Sequence, residues 1–226
     1  MKINYCLPII KKTKQEVLET LQENRSIYNY FEVWLDYIND LDDEFVKKLV
    51  EDLQEKLILL FRRQNLEEIK MDLQKRKNII LLLENVNSLL DLDISMQQEE
   101  LEYIQENSLN LKLISSYHNY EETPNIDELE RIISEMKYYN PSVYKIATKC
   151  QTEADTIILL ETLLNLKQQE QEFIILGMGE KGSITRIFGT LWGNKMIFAP
   201  KEKNEKSAPG QLTKTQLEDI FRILNN

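Results

Sequence analysis

The chain has one histidine in 226 residues, His118, and two cysteines, Cys6 and Cys150. It has six glycines, none of them before position 177. Long hydrophobic runs are missing, and so is any surplus of basic residues. Zinc sites of the common kinds draw most of their ligands from histidine and cysteine. One histidine and two distant cysteines build none, so no metal is expected. Both cysteines sit inside apolar runs. That gives no disulfide framework and fits a reducing compartment, so a cytoplasmic location is expected. The first apolar run, in MKINYCLPIIKKTKQE, spans only about eight residues before charges resume, too short for a signal peptide or a membrane span. No membrane partner is expected. The 38 acidic residues outnumber the 28 basic ones and leave a net charge of −10. A phosphate backbone needs a basic face, so nucleic acid is excluded as a main partner. An anionic small molecule would need a local arginine cluster to overcome the overall field. The segment GMGEKG misplaces the lysine and hydroxyl of a phosphate-binding P-loop. No G-x-S-x-G nucleophile turn occurs.

What the chain does have is alternation. Short apolar runs lie at 3–10, 30–38, 56–62, 88–95, 111–118, 143–149, 173–179 and 195–200, and amphipathic stretches separate them. Near-continuous apolar strands are those buried on both faces of a parallel sheet. Helices are expected between them, the third over 67–77, the fifth capped by Asn125 or Asp127, and a short seventh one after a glycine-rich segment. Eight such units predict an α/β fold, a single (β/α)8 TIM barrel spanning 1–226 as one domain. An open doubly wound sheet would carry a glycine fingerprint after its first strand, and the turn there, KKTKQE, has no glycine. In the barrel reading all six glycines fall in loops after strands seven and eight, where anions commonly bind; tight turns are the plainer alternative.

Active sites of such barrels sit at the C-terminal ends of the strands. The polar residues placed there are Glu32 and Asp36 with Trp34 between them, Arg62 and Arg63, Asp91 and Asp93, His118, Lys145, Arg186, Ser207 and Gln211. Lys145 is the most informative. It lies inside VYKIAT, where burying an ammonium is costly unless it is paired or loses its proton. Near other cations its amine would become a nucleophile able to form an imine with a carbonyl. Pairing with Asp91, Asp93 or Glu32 is the alternative. Histidine is the one side chain that titrates near neutral pH without help, and His118 is either a satisfied core imidazole or a proton carrier. An imine acidifies the adjacent carbon. A histidine could take that proton and hand it to a departing hydroxyl, which describes a dehydratase. Arginines suit a carboxylate, although Arg62 and Arg186 taken singly also fit surface ion pairs.

These residues resemble the type I 3-dehydroquinate dehydratase family. SSYHNYEETP (115–124) is similar to the segment around that family's catalytic histidine, VYKIAT (143–148) to its Schiff-base segment, and the stretch from Leu176 to Pro200 to its glycine–arginine signature. SAPGQ (207–211) matches outright. The resemblance implies a barrel enzyme of the shikimate pathway in aromatic amino acid biosynthesis, without cofactor and usually a homodimer. It would eliminate water from 3-dehydroquinate to give 3-dehydroshikimate. It makes Lys145 the imine-forming residue and His118 the proton donor and acceptor. Glu32, Arg62, Arg186, Ser207 and Gln211 become substrate contacts, and KEKNEK (201–206) part of a mobile lid. Two positions depart. Trp34 stands where the family has an arginine, leaving it as a wall of the site. Leu66 stands where the family has the glutamate that orients the histidine, with Glu67 next. These departures motivate two rival readings: a catalytically weak barrel that binds a ligand or partner, and an imine-forming lyase for a different hydroxy acid.

Overall fold

The computed structural model describes residues 3–61, 68–208 and 210–224. Arg62, Arg63, Leu66 and Glu67 lie outside the described residues. Strand and helix alternate as β1 (Tyr5–Ile9), α1 (Lys14–Asn24), β2 (Tyr30–Trp34), α2 (Asp43–Leu53), β3 (Leu57–Leu60), α3 (Leu73–Leu82), β4 (Leu89–Asp93), α4 (Gln98–Glu106), β5 (Lys112–Asn119), α5 (Ile126–Tyr138), β6 (Val143–Lys149), α6 (Glu153–Gln168), β7 (Phe173–Met178), α7 (Gly179–Trp192), β8 (Ile197–Phe198) and α8 (Lys214–Leu224). The strands pair in parallel in the order β7-β6-β5-β4-β3-β2-β1-β8. This is the (β/α)8 barrel that the alternation predicts.

The seam between β7 and β8 is closed differently. Lys195 N donates to Phe173 O at 2.8 Å. The Asn194 side chain accepts from Ile175 N at 2.8 Å and donates to Ile175 O at 3.0 Å. One amide side chain therefore stands in for a strand ladder, which β8, only two residues long, does not supply.

Helix starts are set by local chemistry. Thr13, Asp42, Asp72, Asn125 and Thr152 each accept from the backbone N–H three residues on, a cap worth about 1 kcal/mol. Asn125, not Asp127, is thus the cap of α5. The third helix begins at Leu73 and runs to Leu82, later than the 67–77 expected. Asp72 supplies its cap, and burial of Ile79 and Ile80 carries it onward.

Strand periodicity divides the barrel into two apolar regions. One face of each strand packs outward against the helices, as with Leu113, Tyr144 and Ile146. The other fills the barrel interior, where Cys6, Ile58, Leu89, Ile114, Val143, Ile174 and Met196 belong to one cluster. The same inward parity carries Glu32, Asp91, His118 and Lys145, two or four residues further along their strands, toward the C-terminal mouth.

The glycines are not mainly in loops, contrary to expectation. Gly177 lies in β7, and Gly179, Gly182 and Gly189 lie in α7, which starts at once and is 14 residues long. A Cβ on Gly182 would sit 2.4 Å from the Gly177 carbonyl carbon, and one on Gly177 2.6 Å from the Gly182 Cα. The bare backbones of strand and helix touch there. Thr185 Oγ1 accepts from Gly177 N at 2.6 Å in the same crossing. Arg186, the next residue, is thereby held against the barrel and is 1% exposed.

Candidate active site

Lys145 lies in the middle of β6 and is buried. Its Nζ is 2.6 Å from Asp91 Oδ2 on β4 and 3.2 Å from Glu32 Oε1 on β2. It also stands 4.5 Å from the centroid of the Phe198 ring. The sequence reading allowed cations beside this lysine; the contacts found are carboxylates, which compensate its charge instead. Each carboxylate is held by a second donor. Ser116 Oγ donates to Asp91 Oδ1 at 2.6 Å. Trp34 Nε1 donates to Glu32 Oε2 at 2.9 Å. A buried ion pair is tolerable only when its remaining lone pairs are satisfied in this way. Four strands thus contribute to one network.

His118, near the end of β5, places Nδ1 at 2.8 Å from Asp93 Oδ2. Its ring stacks on Tyr120, with centroids 6.3 Å apart and planes 22° apart. Asp93 is itself pinned: its Oδ1 accepts from Ser95 N at 2.9 Å and from Ser95 Oγ at 2.6 Å.

The lid residues form a small clasp. Gln211 Oε1 accepts from Ser207 N at 2.9 Å, and Gln211 Nε2 donates to Ser207 Oγ at 2.8 Å. Gly210 has φ +80°, and a Cβ there would meet the Gly179 carbonyl oxygen at 2.5 Å. Only glycine lets the lid lie this close to the start of α7.

Glu32, Trp34, His118, Lys145, Arg186, Ser207 and Gln211 all line one pocket at the barrel mouth. Asp36 is buried just past β2 but does not line it, and Arg62 lies outside the described residues. Burial pulls the Arg186 guanidinium down to about 10 from its ordinary value, a fall opposed by the nearby Cys150. It remains a cation at neutral pH. The free space in the pocket is about 40 Å³. A larger groove of about 710 Å³ runs between α1 and the loop after β8, but its lining includes none of the polar strand-end residues. Sequence reasoning named Asp93 without its partner and overlooked Ser95, Ser116 and Tyr120. The structural register explains the Asp93 pairing: Asp93 pairs with Ser116, so His118 lies two residues beyond it on the same face.

The model of the type I 3-dehydroquinase family matches residues 5–226. The chain belongs to that family. It is 31% identical over 217 residues to the 3-dehydroquinate dehydratase of Coxiella burnetii (strain CbuK_Q154), covering 96% of this chain and 91% of the relative. A Methanococcus maripaludis 3-dehydroquinate dehydratase is 30% identical over 230 residues, covering 97% of this chain and 99% of the relative. Among solved structures, the 3-dehydroquinate dehydratase of Geobacillus kaustophilus superimposes with a TM-score of 0.82 at 20% identity, covering 100% of this chain and 92% of that one. The type I enzyme of Clostridium difficile gives 0.80 at 21%, covering 99% and 92%. Those structural likenesses establish the barrel. Membership in the type I 3-dehydroquinases rests on the sequence matches.

Proposed function

We propose that the chain acts as a single catalytic domain that dehydrates 3-dehydroquinate to 3-dehydroshikimate through an imine on Lys145. The observation that carries this reading is the pairing of a buried lysine with a carboxylate at 2.6 Å in the same pocket as the chain's one histidine. The ammonium must shed a proton before its amine can attack a ketone, and Asp91 is the nearest acceptor. Attack and loss of water give the iminium. That cation draws electrons from the neighbouring C–H bond, His118 takes the proton, and the resulting enamine expels a hydroxyl that His118 protonates as it leaves. Hydrolysis of the new iminium returns Lys145 and releases the product.

Arg186 takes the substrate carboxylate, since a guanidinium fork matches that group in a dry site. Glu32 faces the substrate hydroxyls, Trp34 walls the site, and Arg62, outside the described residues, is a further proposed substrate contact. Ser207 and Gln211 close over the bound ring. About 40 Å³ is room for a few waters, not for a seven-carbon acid, so the lid must open for entry. No cofactor takes part in these steps.

The reading extends to assembly and location. Ile157, Leu164, Ile184 and Phe188 are exposed on α6 and α7, an apolar face that supports a homodimer. A cytoplasmic location fits the reduced cysteines. Borohydride added during turnover of 3-dehydroquinate tests the chemistry. A reduced adduct mapping to Lys145 and absent in Lys145→Ala is expected; adduct on another residue, or none, overturns it. Sedimentation at micromolar concentration tests the dimer, and a monomer would reject it.

A further inference from the structure

We infer that Asp93 is the positioning residue that fixes the tautomer of His118, a role that rests on the proton-carrying function proposed above. An ionised carboxylate only accepts hydrogen bonds. At 2.8 Å from Asp93 Oδ2, Nδ1 of His118 therefore carries the hydrogen and donates it. The other ring nitrogen, Nε2, is left with a lone pair, the form a base needs. The carboxylate also stabilises the imidazolium that forms when Nε2 takes a proton.

The geometry is built to hold that carboxylate still. Asp93 is fully buried at the end of β4. Its Oδ1 accepts from the N–H and Oγ–H of Ser95, and its Oδ2 faces the imidazole. Its own N–H donates to Gln97 Oε1 at 2.9 Å, so the strand end is anchored on both sides. Tyr120 stacked on the ring restricts the tilt. Among the described residues, the titratable groups that share the pocket with His118 are Glu32 from β2, Tyr120 past β5, Lys145 from β6 and Arg186 from α7. Glu32 is bonded to Trp34 and Lys145. Position 66, where the resemblance places an orienting glutamate, is leucine. The structure assigns the orienting role to the strand-end carboxylate one strand closer to the histidine.

Asp93→Asn is the informative change. Two donors from Ser95 require an acceptor, so the amide oxygen stays with them and the amide nitrogen faces His118. That nitrogen donates to Nδ1 and forces the hydrogen onto Nε2. The same logic governs the serine-protease triad, where an asparagine in place of the orienting aspartate leaves the histidine in the wrong tautomer and disables it as a base. Because His118 is the sole histidine, one pair of ring 15N signals reports its tautomer in the intact protein. The expected result is an Nδ1–H ring in the parent protein and an Nε2–H ring in Asp93→Asn. Turnover should fall roughly a hundredfold or more, the scale of general acid–base catalysis. The borohydride adduct on Lys145 should still form. If Asp93→Asn fails to fold, Asp93→Ala serves, with a mixed tautomer and a similar loss expected. An unchanged tautomer, or a changed one with unimpaired turnover, overturns the role of Asp93. Failure of the parent protein to form the Lys145 adduct instead overturns the proposed function, whatever the tautomer shows.

Discussion

Trp34 donates its indole N–H to one oxygen of Glu32, and the other oxygen of the same carboxylate reaches Lys145. The tryptophan thus aligns a carboxylate on Lys145, the residue proposed to form the imine, and does more than fill space. Trp34→Phe removes that donor and keeps most of the ring. A buried carboxylate oxygen then loses its partner, which should cost about 1–3 kcal/mol in urea unfolding. Unchanged stability would mean that water replaces the indole.

Lys145→Ala should do more than abolish turnover. It leaves Asp91 and Glu32 buried without their cation. Breaking such a group should destabilise the fold by about 3–5 kcal/mol, measured as a lower denaturant midpoint with an unaltered slope. Lys145→Met should behave alike, because restored volume does not restore charge.

Gly182→Ala places a methyl group 2.4 Å from a backbone carbon of β7. Backbone on both sides prevents a cheap adjustment, so α7 must shift and carry Arg186 with it. Stability should drop by about 1–3 kcal/mol. KM should rise more than kcat falls, since the carboxylate contact proposed for Arg186 is what moves.

The carboxylate-binding role proposed for Arg186 predicts a pH limit on binding. Its guanidinium, brought down to about 10 by burial, is charged throughout pH 7–9 and begins to lose its proton above that range. Product affinity, followed by thermal shift, should hold steady across pH 7–9 and decline from about pH 10, well below the ordinary arginine value. The sign for folding is opposite: the unfolded chain holds this proton to higher pH, so this group's contribution to stability rises as pH climbs past about 10. Arg186→Met should lose the product-induced shift at every pH.

The fold is legible in the sequence because both-face burial writes apolar runs into every strand of a parallel barrel. Lys145 and His118 are legible because each is anomalous in its surroundings, a charge in an apolar strand and a lone imidazole at a strand end. The meaning of the glycines is not. Composition marks glycine as permissive without saying whether it frees a loop or lets helix α7 lie against β7. The start of α3 is hidden because residues 67–71 are as polar as the true first turn, and only the Asp72 cap separates them. The pairing of His118 with Asp93 depends on register between β4 and β5, which one sequence does not print.

The seam closed by Asn194 gives the barrel a place of easiest parting. Neighbouring strands elsewhere are laced by consecutive backbone bonds, whereas β7 and β8 are joined mainly through one amide group. Arg186 lies just before that joint in the chain and the Ser207–Gln211 clasp just after it. The most lightly laced joint of the ring therefore lies, in chain order, between the residue proposed to receive the substrate's acid group and the pair proposed to close over it.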